Sequence, residues 1–447
     1  MPPAEPMQVA RANEPRPDGL ITPRGRARFS IGAFVLYALL AAAVVAALAI
    51  AGPELGLSWS WGISVTLWLG ALAVRLFPEH AQLAAGLTGV AVLAQWTALR
   101  YLAYHLLLVS GAFLLRRRPL ALVALVAVGA FVIPKELFRV FYHWVFLHDW
   151  LSPFLLAHFL LVLAYWWREQ QRGVVPEPGD TTFANWLVLF LFPTGPMNPM
   201  NFAPSHLWRA RNAELGAVLQ TLLLVASKAL TVMLVARLLP GNRLSDQTGA
   251  ALLARSWPGL WLSVFHSYLY VALTLSGTAD LVILVARLYG WRLPHSFRWA
   301  LLAWNPVELW RRWAIYNRRL LLTLVYFPMG GSERHRMLNV LVTFLASGLV
   351  LHSGWVGSKY WELGVGGWRD QTVYFLIQGL AVCACLGWWR LIGKDPRADK
   401  DLRWSPARVL ATVATQVFSA WVHILVLAPD VSWGDRWHLM ARCFGLG

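Results

Sequence analysis

Apolar runs of about twenty residues, separated by short polar connections, recur from residue 31 almost to the C-terminus. That is the length an α-helix needs to cross a hydrocarbon core. The pattern predicts spans at 31–51, 57–77, 81–99, 119–134, 150–167, 216–239, 260–289, 337–352, 371–393 and 407–428, with 101–115 as a further short crossing. The length rule gives about nine to eleven spans in all. Strands of a membrane β-barrel alternate apolar and polar positions over about ten residues, whereas AAAVVAALAIA (41–51) is apolar on every side. The predicted fold class is therefore all-α, a polytopic transmembrane helical bundle forming one domain over 31–447. A re-entrant piece near 183–200 and amphipathic interfacial helices near 136–149 and 305–320 complete the expected architecture around a central cavity.

Composition agrees with a bilayer as the main solvent: of 447 residues 58% are hydrophobic and only 14% charged, which excludes an ordinary water-soluble domain. Many of the 26 tryptophans sit near the ends of apolar runs, as in Tyr165, Trp166 and Trp167, where an amphipathic ring rests at headgroup level. The formal net charge of +17 is spread over many short connections. No soluble domain gathers it into a basic face, so nucleic acid is excluded as a partner. Residues 1–30 carry Arg11, Arg16, Arg24, Arg26 and Arg28 among prolines and are read as a disordered basic cytoplasmic tail. Arg116, Arg117 and Arg118 and the 168–172 loop then return to the same side, in keeping with the positive-inside bias. Cys383, Cys385 and Cys443 match no metal spacing. Neither a phosphate loop, a zinc spacing nor a serine elbow is present, and no inverted pair of similar halves marks a secondary transporter. No metal and no bound cofactor is expected.

Candidate chemistry thus narrows to polar residues at membrane depth, which concentrate in 266–357. Asp280 stands inside an apolar run behind Ser276, Gly277 and Thr278. A carboxylate there is either functional or an internal hydrogen-bonded brace. In 304–336, a continuous helix at 100° per residue places Trp310, Trp313, Ala314, Asn317 and Leu321 on one face and Arg311, Arg312, Arg318 and Arg319 on the other. Asn317 then reads as a helix–helix hydrogen bond or as an amide that holds a substrate carbonyl. The arginines read as headgroup neighbours or as phosphate ligands, and Gly330 and Gly331 as a turn. His352 closes an apolar helix directly after the small pair Ser347 and Gly348. Neutral imidazole can take a proton from a hydroxyl near neutral pH.

These blocks, in this order, resemble the membrane-bound O-acyltransferase family, especially its bacterial branch of alginate O-acetyltransferases and D-alanyl transfer proteins. SGTAD (276–280) and ARLYGWRLP (286–294) take the places of the branch's Ser-Gly-Tyr-Ser-Asp run and basic stretch. WRRW (310–313) and YFPMGGS (326–332) are similar to Trp-Arg-Arg-Trp-His and Tyr-Ile-Pro-Leu-Gly-Gly. ASGLVLHSG (346–354) is similar to Ser-Gly-Leu-Trp-His-Gly, so that His352 falls at the family histidine, and FLFPTGPMNP (190–199) resembles, more weakly, a re-entrant segment. The resemblance covers roughly 115–390.

Two departures stand out. The polar residue that follows Trp-Arg-Arg-Trp is Ala314 here, and one extra residue separates Gly348 from His352. On an unbroken helix that insertion rotates the histidine by about 100°. The resemblance implies a tunnel through the bundle and, as donor substrate, a thioester on coenzyme A or on an acyl carrier. His352 is implied as general base; Asn317, one turn beyond Ala314 on the same expected helical face, is its catalytic companion by geometry and not by a family match. Arg311, Arg312, Trp313, Ser276, Asp280, Gly330 and Gly331 are implied as donor- or substrate-binding residues. The acceptor is then a hydroxyl of a glycan, lipid or lipid-linked sugar, with a carrier or periplasmic protein as further partner and the bacterial inner membrane as location. Two other readings stay open: a degenerate, non-catalytic member acting as partner or regulator, and a transporter of lipid-linked or acyl substrates.

Overall fold

A backbone in lipid has to close its hydrogen bonds within itself, and every apolar run described is helical. The computed structural model describes residues 31–54, 61–96, 99–118, 121, 122, 125, 151–173, 182–191, 215–291, 293–352, 368–393, 405–428 and 431–446. The expected tail (1–30), the interfacial helix at 136–149 and the span at 119–134, apart from 121, 122 and 125, lie outside the described residues.

The first part comprises α1 (Ile31–Glu54), α2 (Trp61–Leu76), α3 (Ala81–Trp96), α4 (Leu99–Leu115), α5 (Leu151–Gln171) and α6 (Phe183–Leu191). Next come α7 (Leu215–Leu238), the short α8 (Gly249–Leu253) and the long α9 (Trp257–Leu288). The chain then runs through α10 (Pro306–Arg312), α11 (Ile315–Leu321), α12 (Arg336–Ala346) and α13 (Trp368–Leu391). It ends with α14 (Pro406–Val422), α15 (Ile424–Leu427) and α16 (Trp433–Arg442). Among the described residues four helices are long and apolar enough to cross a membrane: α7, α9, α13 and the joined α14–α15, or five with the bent pair of α2 and α3 counted as one.

That bent pair corrects the expectation of two independent spans. The helices turn by 117° at Phe77 and Pro78, where Phe77 leaves helical geometry (φ −121°, ψ 66°) because the residue before proline is sterically pushed out of it. Each arm has 16 residues, about 24 Å at 1.5 Å per residue, short of the roughly 30 Å core. Helix α6 has nine residues, of which Trp186 to Leu191 are buried. It lies where the first part of the re-entrant piece is expected; 192–200 lies outside the described residues.

Helix α9 is the spine. Residues 279–286 are buried all round, as a helix apolar on every side but for Asp280 must be in a core. Its C-terminal half belongs to one apolar core with α1 to α6, and its N-terminal half to a second with α13 to α16. Helix α7 lies along it with Val218, Thr221, Val225, Ala229 and Val232 turned inward at helical spacing. Leu219, Leu223, Leu230 and Leu234 are exposed, the side suited to lipid. Two buried tyrosines find hydroxyl partners as their burial requires: Tyr37 donates to Leu288 O at 2.8 Å, and Tyr289 to Leu67 O at 2.8 Å. These bonds stitch α1 and α2 to the end of the spine.

Candidate functional site

Small residues govern the approach to His352. At Gly348 an added Cβ would lie 2.7 Å from Thr372 Cα, and at Gly379 it would lie 2.9 Å from Phe344 Cβ, so the α12 segment and α13 cross at near backbone contact. Between Ala346 and His352 the helix changes to a π turn, Ser347–Leu351. In it His352 N–H donates to Ser347 O, five residues back, at 3.0 Å. A π turn accommodates one more residue than an α turn, so the extra residue before His352 is taken up locally. This corrects the expectation of a 100° rotation, which presumed an unbroken α-helix. The same carbonyl also lies 2.9 Å from His352 Nδ1. A carbonyl only accepts, so the proton sits on Nδ1 and the lone pair on Nε2. The imidazole is half-buried and lies against Phe375, ring centroids 4.4 Å apart.

The Trp-Arg-Arg-Trp segment reaches the same aromatic platform. Asn305 caps α10 by accepting from Glu308 N–H at 2.8 Å, and Pro306 fills the first turn, where its missing N–H costs nothing. Trp310 then packs on Phe375 and Phe344, with centroids 5.4 and 5.3 Å away, and donates to Gln378 Oε1 at 3.1 Å. His352 and Trp310 therefore share Phe375. The continuous helix expected through 314 is absent: Ala314 is left-handed (φ 43°) and Trp313 extended. The break is held by two backbone bonds to the segment 296–298, Arg298 N–H to Arg312 O and Ile315 N–H to Ser296 O, both 2.9 Å. Trp313 packs on Phe297 at 5.1 Å. The single face linking Trp310, Ala314 and Asn317 is thus dissolved, and Asn317 belongs to a separate helix. Its Oδ1 is buried without a hydrogen-bond partner among the described residues, and it makes no hydrogen bond to His352.

Arg311 and Arg312 both pair with the buried carboxylate of Glu308, Arg312 at 2.9 Å. Arg319 pairs with buried Glu169 at 3.2 Å. Gly330 and Gly331 have positive φ (96° and 58°) and form a turn, but their N–H groups donate to Phe327 O and Tyr326 O. Neither glycine amide is therefore free for a phosphate. Asn339 clasps the turn, its Nδ2 donating to Met329 O, Gly331 O and Arg334 O at 3.1, 2.8 and 2.7 Å.

Asp280 and Ser276 lie elsewhere. Asp280, fully buried, pairs with Lys228 of α7 and accepts from His295 Nδ1 at 2.8 Å, while Lys228 also donates to Ser276. Arg287 extends the network to Thr221, Leu293 O and His295 Nε2. The residues beside Asp280, such as Leu281 and Ile283, belong to the first apolar core, whereas Tyr374 and Phe375 belong to the second.

Comparison with known proteins finds relatives at low identity over part of the chain. No family model matches the chain. It is 23% identical over 188 residues to a protein of Pseudomonas putida named probable alginate O-acetylase AlgI, covering 41% of this chain and 33% of that one. Proteins of the same name from Pseudomonas aeruginosa and Azotobacter vinelandii are 24% and 26% identical over 163 and 165 residues, 36% of this chain and 28% and 30% of theirs. The likeness is to the membrane-bound O-acyltransferases. The chain matches about a third of the length of these curated relatives.

Within an O-acyltransferase-like chain, the geometry sorts the residues singled out from sequence. His352, Trp310 and Trp313 share one aromatic neighbourhood, while Arg311 and Arg312 flank it through Glu308. Ser276 and Asp280 form a separate ionic node. Sequence reasoning missed Lys228 and His295. The signal for Lys228 was in view: it is the lone charge in LLLVASKALTVMLV (222–235), and an intramembrane cation calls for a counter-ion.

Proposed function

We propose that the protein is a membrane-bound O-acyltransferase of the bacterial inner membrane, N-terminus cytoplasmic. It moves a short acyl group from a cytoplasmic thioester, on coenzyme A or a carrier, to a hydroxyl of a glycan, lipid or lipid-linked acceptor. The observation that carries this reading is the Ser347 carbonyl on His352 Nδ1, which leaves Nε2 as the proton acceptor a general base needs.

In the proposed reaction His352 Nε2 takes the proton of the acceptor hydroxyl, whose oxygen adds to the thioester carbonyl. The tetrahedral intermediate expels the thiolate, which takes the proton back from the imidazolium. Asn317, its amide oxygen buried and unpartnered among the described residues, supplies a polar contact to the donor chain. A tunnel through the bundle brings donor and acceptor together from opposite sides, with a carrier or periplasmic protein as partner. The second reading, a non-catalytic member, is favoured by Ala314, whose methyl group offers neither donor nor acceptor at the helix break.

The test is thiol release from a panel of acyl-coenzyme A donors by the purified protein in lipid, comparing wild type with His352→Ala and Ala314→His. Turnover that disappears in His352→Ala supports the enzyme. A silent wild type that gains turnover as Ala314→His supports the degenerate reading.

A further inference from the structure

His352 has a counterpart along α13. His423 stands at the junction of α14 and α15, and each histidine turns Nδ1 to the carbonyl of a serine that also accepts its own backbone N–H. For His423 that carbonyl is Ser419 O, 2.6 Å from Nδ1 and 3.1 Å from the backbone nitrogen. A carbonyl only accepts, so His423, like His352, carries its proton on Nδ1. Its Nε2 then accepts from the Tyr374 hydroxyl at 3.0 Å. The imidazole is buried between the rings of Tyr374 and Tyr268, centroids 4.6 and 4.9 Å away. His352 lies against Phe375, the next residue of α13. Two histidines of one tautomer thus contact consecutive aromatic residues of one helix, and the proposed reaction uses only His352.

Glycines let α13 and the α12 segment cross at near backbone contact, at Gly348 and Gly379. Such a contact brings helices close but offers few interlocking side chains to fix rotation about the axis. Bonds that leave the helix sideways supply that restraint. Helix α13 makes two of them one turn apart: Tyr374 donates to His423, and Gln378 Oε1 accepts from Trp310 Nε1 at 3.1 Å. Phe375 stands within that turn. A rotation of about 20° carries a group about 5 Å from the helix axis by about 2 Å, enough to break the 4.4 Å ring contact with His352.

We infer that Tyr374 and His423 are positioning residues for His352: their hydrogen bond sets the rotation of α13 and with it the face that Phe375 presents to the imidazole. The inference rests on the reading of His352 as general base and adds two groups to it, neither of which touches a reacting atom.

The test reads the position of His352 without turnover. The full chain in lipid nanodiscs is treated with diethyl pyrocarbonate, which acylates an unprotonated imidazole nitrogen, and labelling at each histidine is followed by peptide mass spectrometry. Tyr374→Phe removes only the hydroxyl, and His423→Leu removes the acceptor. Each is expected to label about fivefold faster at His352, as Phe375 uncovers the ring. The double variant should match either single one, since the same bond is lost once. His423→Gln keeps an acceptor for the Tyr374 hydroxyl and should restore the wild-type rate. His105, fully buried in α4, reports general loosening. A His352 rate within twofold of wild type in Tyr374→Phe and His423→Leu overturns the inference, and so does labelling of His105 that rises together with His352. Thiol release by the same proteins is expected to show a lower kcat at unchanged KM. A His352 rate that responds in a chain without thiol release keeps the positioning and loses the acyl-transfer reading. Turnover abolished by His352→Ala, with unchanged labelling in the Tyr374 and His423 variants, does the reverse.

Discussion

Replacing Asp280 tests whether the ionic node holds the bundle together. Its carboxylate is 0% exposed, against 18% for the Lys228 side chain and 29% for that of His295. Asp280→Ala strands Lys228 with only the Ser276 hydroxyl and deprives His295 Nδ1 of its acceptor. Removing one partner of a buried pair costs about 3–5 kcal/mol. The partial exposure of Lys228 lets its ammonium shift toward polar surroundings, so the lower end, about 3 kcal/mol, is expected. Asp280→Asn leaves one acceptor oxygen for one of the two neighbours and turns its NH2 toward the other donor, a loss of about 2 kcal/mol. In a Lys228→Met background the same Asn substitution should cost about 1 kcal/mol, because the stranded charge is gone. Urea unfolding in mild detergent, followed by tryptophan fluorescence, reads wild type, the two Asp280 variants, Lys228→Met and the Lys228→Met/Asp280→Asn double variant. If Asp280→Ala costs less than about 1 kcal/mol, the range of exposed pairs, the node is not a brace and this reasoning fails.

Three further outcomes are expected. Deleting Val350 should turn the π turn at Ser347–Leu351 into an α turn and move His352 Nδ1 off the Ser347 carbonyl, abolishing thiol release while the protein remains monodisperse. Ala314→Gly relieves a left-handed residue that costs about 1–2 kcal/mol but frees the unfolded chain by about 0.4–1 kcal/mol. It should therefore stabilise by roughly 0.5–1 kcal/mol in the same unfolding assay, and destabilisation would show that the break relies on the Ala314 methyl. Asn339→Ala removes the clasp on three carbonyls and should cost about 1–3 kcal/mol, with faster proteolysis between Met329 and Arg334.

Much of the bundle was legible because hydrocarbon thickness imposes a length on apolar runs, and α7, α9 and α13 appear where those runs lie. The bend at Phe77 was less legible: two runs of adequate length mask a proline that makes each arm too short. Around His352 and Trp310 the motifs could be located, but not the backbone between them. Periodicity presumes one helix type, whereas Ala314 adopts a left-handed conformation and Ser347–Leu351 a π turn. Both are settled by partners distant in sequence, Ser296 and Arg298 for one and α13 for the other. The Asp280 node was half visible. The carboxylate was conspicuous at membrane depth, but its partner Lys228 is 52 residues away and His295 reaches back only because the chain folds against the spine after Leu288.

The π turn before His352 also bears on how insertions are judged. A residue added inside a helix is ordinarily taken to shift everything beyond it, and a pattern that fixes the interval from glycine to histidine scores such a chain as damaged. Here the backbone absorbs the additional residue by changing its hydrogen-bond ladder for a single turn, and the relocated carbonyl meets the imidazole. Spacing in sequence and position in space part company at that turn, because one more residue in the interval need not carry the side chain round the helix.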